Sequence, residues 1–283
     1  MKEGTKARLG LITAMVIFGS IGIFRRYISL PSGMIGACRG LMGALFLFAV
    51  SRLRRQRLDM QSLRPSLGKL IFSGIAMGFN WILLFEAYRF TSVATATLCY
   101  YMAPVFVILA SPFLLKEKLT PGKLLCVLAA VVGVALVGGV GEGGSLTGVL
   151  LGLGAAVLYA TVVLMNKTLQ DVPTEDRTML QLAAAGLVLV PYSLLAENFS
   201  GVTMDGTSII MLLVVGAIHT GWAYWLYFGS MKALPAQTVA LYSYIDPIVA
   251  ILLSALILGE ALTPLGIVGA VLVLGATLVS ERV

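Results

Sequence analysis

LCYYMAPVFVILASPFLLKEKLTP (98–121) and LYSYIDPIVAILLSALILGEALTP (241–264) are one segment written twice. At a spacing of 143 residues, 11 of the 24 aligned positions are identical. Each copy carries a tyrosine, a proline three residues later, and an apolar run that ends in Leu-x-Glu-x-Leu-Thr-Pro. Only the second copy places an acid, Asp246, before its central proline; the first has Ala103. The similarity continues upstream, where AMVIFGSIGIFRR (14–26) lies over AAVLYATVVLMNK (155–167), with Phe18 over Tyr159 and Arg26 over Lys167.

The composition around these copies belongs to a membrane. Hydrophobic residues make up 59% of the 283 residues and charged residues 12%, too little charge to cover a soluble surface. A spanning helix needs roughly 20 apolar residues. Ten runs qualify: 9–27, 33–51, 69–89, 93–114, 123–140, 148–167, 177–196, 207–229, 236–257 and 264–281. They are continuously apolar and do not alternate, which excludes a barrel. They leave no room for a soluble domain or a nucleotide-binding cassette. Gly36/Gly40, Gly74/Gly78 and Gly148/Gly152, each pair four residues apart, are read as close helix packing.

With ten spans and both ends on one side, that side holds sixteen lysines and arginines, including Arg52, Arg54, Arg55 and Arg57. The other side holds three, Arg25, Arg26 and Arg89, so both termini are expected to be cytoplasmic. The net charge of +7 is thus a topology signal with the lipid bilayer as partner, and nucleic acid is not expected. Cys38, Cys99 and Cys126 fall inside runs without metal or disulfide spacing, and the basic, apolar N-terminal stretch is read as a first span and not a removable signal. No cofactor or metal is expected. Oligomeric state is left open, with a monomer sufficient.

The duplication divides the chain at 143/144 into two five-helix repeats, 1–143 and 144–283. Five is odd, so the second repeat enters the membrane from the opposite side. The fold expected is an all-α membrane protein of ten transmembrane helices in two inverted-topology repeats. Inverted repeats recur in secondary transporters, where two halves expose a midplane site alternately to each side. An intramembrane enzyme is not expected, because HExxH, a nucleophile elbow and any acid–histidine cluster are missing. Short connections without charge rings also argue against a channel.

The paired Pro…Leu-x-Glu-x-Leu-Thr-Pro segments, the arginine of ACRGLMGALF (37–46) and the stretch AYRFTSVATAT (87–97) resemble the drug/metabolite transporter superfamily, in its ten-span EamA-like family of bacterial metabolite and amino-acid exporters. The resemblance covers essentially the whole chain. It implies a multi-pass protein of a prokaryotic inner membrane, a central cavity walled by spans 1, 3, 4, 6, 8 and 9, and export of small metabolites such as amino acids. It does not fix the substrate; a proton-coupled organic-cation or multidrug exporter is the alternative.

The candidate cavity residues are Phe18, Asn80, Trp81, Leu84, Tyr100, Tyr101, Tyr159, His219, Trp222, Tyr242, Ser243 and Tyr244, an apolar and cation–π lining with a few hydroxyls. Asp246, Glu86 and Arg39 are the candidate charges. An acid at mid-bilayer is a functional hypothesis by default: Asp246 carries protons, pairs with a substrate ammonium, or caps the outer half of a broken span 9. Because Ala103 cannot cap, the fold's symmetry does not require such a break. Arg39 is expected in an ion pair that orients the spans; Glu86 and Arg89 at i,i+3 are read as a mutual salt bridge, with Arg39 the alternative partner of Glu86. His219 is a proton relay or a packing histidine. Pro104 and Pro247 are expected to kink spans 4 and 9 as paired hinges. Thr120-Pro121 and Thr263-Pro264 are read as helix starts, with Glu117 and Glu260 organising the turns before them.

Overall fold

The computed structural model describes residues 3–56, 58–91, 93–138, 145–258, 264–280 and 282. All regular structure among them is helical. The first half contains α1 (Glu3–Arg25), α2 (Ser32–Leu53), α3 (Met60–Phe90), α4 (Val93–Tyr100), α5 (Ala103–Leu115) and α6 (Pro121–Gly138). The second contains α7 (Leu146–Thr168), α8 (Thr174–Ala196), α9 (Gly206–Val214), a π-helical segment (Val215–Trp222), α10 (Ala223–Ser230), α11 (Ala236–Tyr242), α12 (Ile245–Leu258) and α13 (Pro264–Val279). Among the described residues six stretches are long and apolar enough to cross a membrane: α1, α2, α3, α7, α8 and the continuous Gly206–Ser230. Shorter apolar helices follow at α5, α6 and α13. The chain is a multi-pass membrane protein.

The helix starts follow local chemistry. Asp59 accepts from the Gln61 and Ser62 amides at the start of α3, Ser145 from Thr147 ahead of α7, and Asp205 from Ser208 ahead of α9. Thr120 takes the Lys123 amide at 3.2 Å and Pro121 opens α6, as the sequence implies; Glu260 and Thr263 lie outside the described residues, as does the proposed 143/144 boundary.

Glycine lets the long helices touch where lipid supplies no hydrophobic drive between them. A Cβ on Gly40 of α2 would lie 3.0 Å from the Gly186 Cα of α8, and one on Gly133 of α6 would lie 2.7 Å from the Gly269 carbonyl of α13. All six paired glycines singled out in the sequence face a neighbouring helix or its end this closely or in ordinary contact. Packing pairs recur between the halves: α1 against α12 and α5 against α7, α2 against the π segment and α3 against α8. α2 packs on α8 and α6 on α13.

Polar side chains tie the two ends of the bundle. At one end, Glu197 beyond α8 accepts from the Gly33 and Met34 amides, closing the start of α2, while Tyr192 donates to Glu86. At the other, Glu117 accepts from the Ala236 and Gln237 amides at 2.7 and 3.2 Å, closing the start of α11. Lys167 donates to the Met231 and Leu234 carbonyls, and fully buried Arg177 to those of Asn166, Leu169 and Phe228. The turn between α10 and α11 is thereby gripped from three other helices or their ends.

The breaks correct one expectation. α4 gives way to α5 at Tyr101–Met102, and α11 to α12 at Ser243–Tyr244. Both apolar runs are therefore interrupted, the first without a capping acid. Pro104 is the second residue of α5 and Pro247 the third of α12, so each sits in a first turn, where its missing N–H costs nothing, and not inside a continuous helix.

Candidate functional site

A cavity of 520 Å³ lies where the broken segments meet α1, α3, α7 and α10. α1 contributes Met15, Phe18, Gly19, Ile21 and Gly22 along one face, and α3 contributes Trp81, Leu84 and Phe85 at i,i+3,i+4 spacing. The α4–α5 break presents Thr97, Tyr100, Tyr101, Ala103 and Pro104; the α11–α12 break presents Ser243, Asp246 and Ala250. Tyr159, Tyr224 and Arg39 complete the wall. Interrupting a helix at mid-span is what lets side chains from both sides of a break reach one space.

The wall is aromatic. Phe18 meets Tyr224 edge-on at 4.9 Å, Trp81 lies 6.3 Å from Tyr224, and Tyr100 lies 5.7 Å from Tyr159. The Tyr159 hydroxyl donates to the Tyr227 hydroxyl at 2.7 Å, fixing its ring. Two groups of opposite charge interrupt this surface. The Arg39 guanidinium stacks 4.1 Å from the Trp81 ring centre. The Asp246 carboxylate faces the cavity from the first turn of α12 and forms no hydrogen bond with the described residues. Tyr100 and Tyr224 lie within electrostatic range of both. The cavity can therefore receive an apolar or aromatic body carrying a cationic and an anionic group.

Of the twelve residues expected to line a cavity, Phe18, Trp81, Leu84, Tyr100, Tyr101, Tyr159 and Ser243 do. Five do not. Asn80 is buried and donates to the Ala155 carbonyl, joining α3 to α7. His219 turns toward α1, with Nε2 3.0 Å from the Ser20 hydroxyl and its ring 4.5 Å from Phe24. Trp222 is 39% exposed on a separate outer crevice with Phe46, Arg54 and Trp225. Tyr242 and Tyr244 are buried in the core. Arg39 and Asp246 line the cavity and Glu86 does not: it forms the expected i,i+3 pair with Arg89 at 3.0 Å and accepts from Tyr192 at 2.6 Å, so the alternative Arg39–Glu86 pair is not formed. Pro104 lines the cavity; Pro247 is buried behind it.

Sequence reasoning missed Tyr224, Phe85, Thr97 and Gly19. Placing His219 and Trp222 on one cavity face assumed 3.6 residues per turn, but Val215–Trp222 is π-helical, with the Thr220 hydroxyl bonded to the carbonyl five residues back. The extra residue rotates the next turn of helix, and Tyr224 takes the inward position. The signal was the glycine pair Gly216 and Gly221, which brings this segment against Met42, Gly43 and Phe46 of α2.

Similarity to known proteins agrees with this architecture. The EamA-like transporter family matches the chain twice, over residues 5–139 and 146–281. The uncharacterized transporter YxxF of Bacillus subtilis is 31% identical over 265 residues, spanning 91% of this chain and 84% of that protein. Protein RarD of Salmonella typhi is 24% identical over 91% of this chain and 89% of its own. A crystal structure of a protein with 21% sequence identity superposes over 98% of this chain and 97% of that one with a TM-score of 0.87, a likeness of fold.

Proposed function

The chain belongs to the EamA-like transporter family, and from that premise we propose that it exports small zwitterionic metabolites, amino acids in particular, across the inner membrane of a prokaryote by alternating access. The carrying observation is the cavity wall, in which Arg39 on Trp81 and the uncapped carboxylate of Asp246 share one aromatic space. In this reading Arg39 takes the substrate carboxylate, Asp246 its ammonium, and Trp81, Tyr100 and Tyr224 its side chain.

The machine is ten spans in two inverted five-helix repeats, 1–143 and 144–283, with both termini cytoplasmic. Two matches to one family, packing pairs that exchange halves, and breaks at corresponding places in the two copies support this. Pro104 and Pro247 act as matched hinges, since each starts the second half of a broken span and cannot restore the helix across the break. A second reading comes from Asp246 alone. A carboxylate facing the cavity without a hydrogen-bonded partner among the described residues also suits proton-coupled export of organic cations.

Radiolabelled amino-acid counterflow in proteoliposomes tests the first reading: saturable exchange that unlabelled amino acid competes away is expected. Absence of exchange with amino acids, together with proton-driven uptake of an organic cation, would replace it with the second.

A further inference from the structure

A second cavity, of 400 Å³, lies at the end of the bundle where Glu197 closes α2. Its wall includes Pro31 and Ser32 before α2, Tyr88 and Arg89 at the end of α3, and Tyr192 and Asn198 of the α8 end. One residue belongs to both cavities: Phe85 lines the central space and this outer one. The ring is held on its far side by α2, where a Cβ on Gly36 would meet the Phe85 Cε2 atom at 3.4 Å and a Leu189 methyl at 3.3 Å. The missing Cβ at Gly36 spares the ring this contact. Phe85 stands in both cavity walls, and beside it Tyr88 of the outer cavity meets Thr97 of the central one at 3.3 Å.

We propose that the outer cavity is the exit vestibule for substrate and that Phe85 is the gate between it and the central cavity. Arg89, at the vestibule wall and 64% exposed, draws the substrate carboxylate outward once the Phe85 ring swings aside. Glu86 holds Arg89 at that position through their 3.0 Å ion pair, and is itself fixed by Tyr192. The gate is apolar, so a closed ring keeps water from the Arg39–Asp246 space while leaving no charge to trap a passing zwitterion.

This rests on the transport reading, but its test needs no substrate, so the two can fail separately. Cys38, Cys99 and Cys126 are first replaced by serine in the full chain, and Asn198→Cys (vestibule) or Thr97→Cys (central cavity) is introduced. A membrane-impermeant thiol reagent is then applied to the outer face of intact cells. Asn198→Cys is expected to react readily, and equally fast with Phe85 or Phe85→Ala. Thr97→Cys is expected to react slowly with Phe85 in place, at least about tenfold faster with Phe85→Ala, and more slowly still with Gly36→Ala. An unchanged thermal midpoint of the purified Phe85→Ala protein certifies that it is folded, and Phe85→Leu supplies a second, milder opening. The gate is overturned if Thr97→Cys reacts at one rate in all these backgrounds, and the vestibule if Asn198→Cys is unreactive from outside.

Discussion

Asp246 occupies a place where a carboxylate is expensive, within a membrane-buried break, and its oxygens are not spent on a cap. Caps at Asp59 and Asp205 look different: each accepts from amides two or three residues on. If Asp246 holds a substrate ammonium, Asp246→Asn lowers affinity at least about tenfold, or about 1.4 kcal/mol, while the thermal midpoint of the purified protein stays close to wild type. Counterflow across a substrate concentration series, beside thermal unfolding, separates this from a capping role, which would lower the midpoint and spare affinity. Arg39 is tested by Arg39→Lys. The charge remains, but the planar fork and its stacking on Trp81 are lost, so substrate affinity is expected to fall by roughly 1 kcal/mol with little change in maximal exchange. An unchanged half-saturation concentration would remove Arg39 from the substrate's carboxylate. These two charges, with seven of the lining residues, were legible from composition and from the rule that intramembrane charge is functional; the partner of Arg39 was not, because stacking on Trp81 leaves no spacing signature.

Helix contact depends on missing side chains more than on bulky ones. The Gly40–Gly186 crossing leaves a Cβ on Gly40 only 3.0 Å from the opposing Cα and 3.1 Å from the Leu182 carbonyl, so backbone must move to admit one. Gly40→Leu is therefore expected to cost about 1–3 kcal/mol and to lower the thermal midpoint in detergent, whereas Gly68→Ala, with open space around it, leaves the midpoint unchanged. Equal midpoints for both variants would refute the contact. Element type and placement were readable in advance, since each of the ten apolar runs falls on a helix or a pair of consecutive helices. What stayed hidden was register inside an element. The π segment re-aims Tyr224 while leaving the hydropathy of Gly206–Ser230 unaltered. The break at Tyr101–Met102 has no capping residue to announce it; the proline after it supplied the warning, and reading that proline as a kink put the discontinuity in the wrong place.

At the scale of the molecule, the cavity and the polar grip around the α10–α11 turn occupy different depths of the same helices. Arg39, Leu84 and Phe85 lie toward the Glu197 end, whereas Glu117, Lys167 and Arg177 tie the opposite end shut. In the alternating access proposed above that grip has to open, and its strength would set how often it does. Glu117 is the member of the grip on which most of α11 depends, because two α11 amides share its one carboxylate and Gln237 further donates to Ser111 beside it in α5. A hydrogen bond to a charged group contributes about 1.5–3 kcal/mol. Glu117→Gln keeps the shape and one acceptor oxygen but removes the charge, so a shift of about 1.4 kcal/mol, roughly tenfold in the open-to-closed ratio, is expected. In inside-out membrane vesicles, a cysteine at Ala236 in a background free of native cysteines would then react with an impermeant thiol reagent about tenfold faster than in the Glu117 protein. Since one equilibrium connects the two states, labelling of Thr97→Cys from the outer face should fall in the same variant. Faster inner labelling without the outer decrease would mean that Glu117 merely frays the start of α11; the paired change is what a gate of the whole molecule requires.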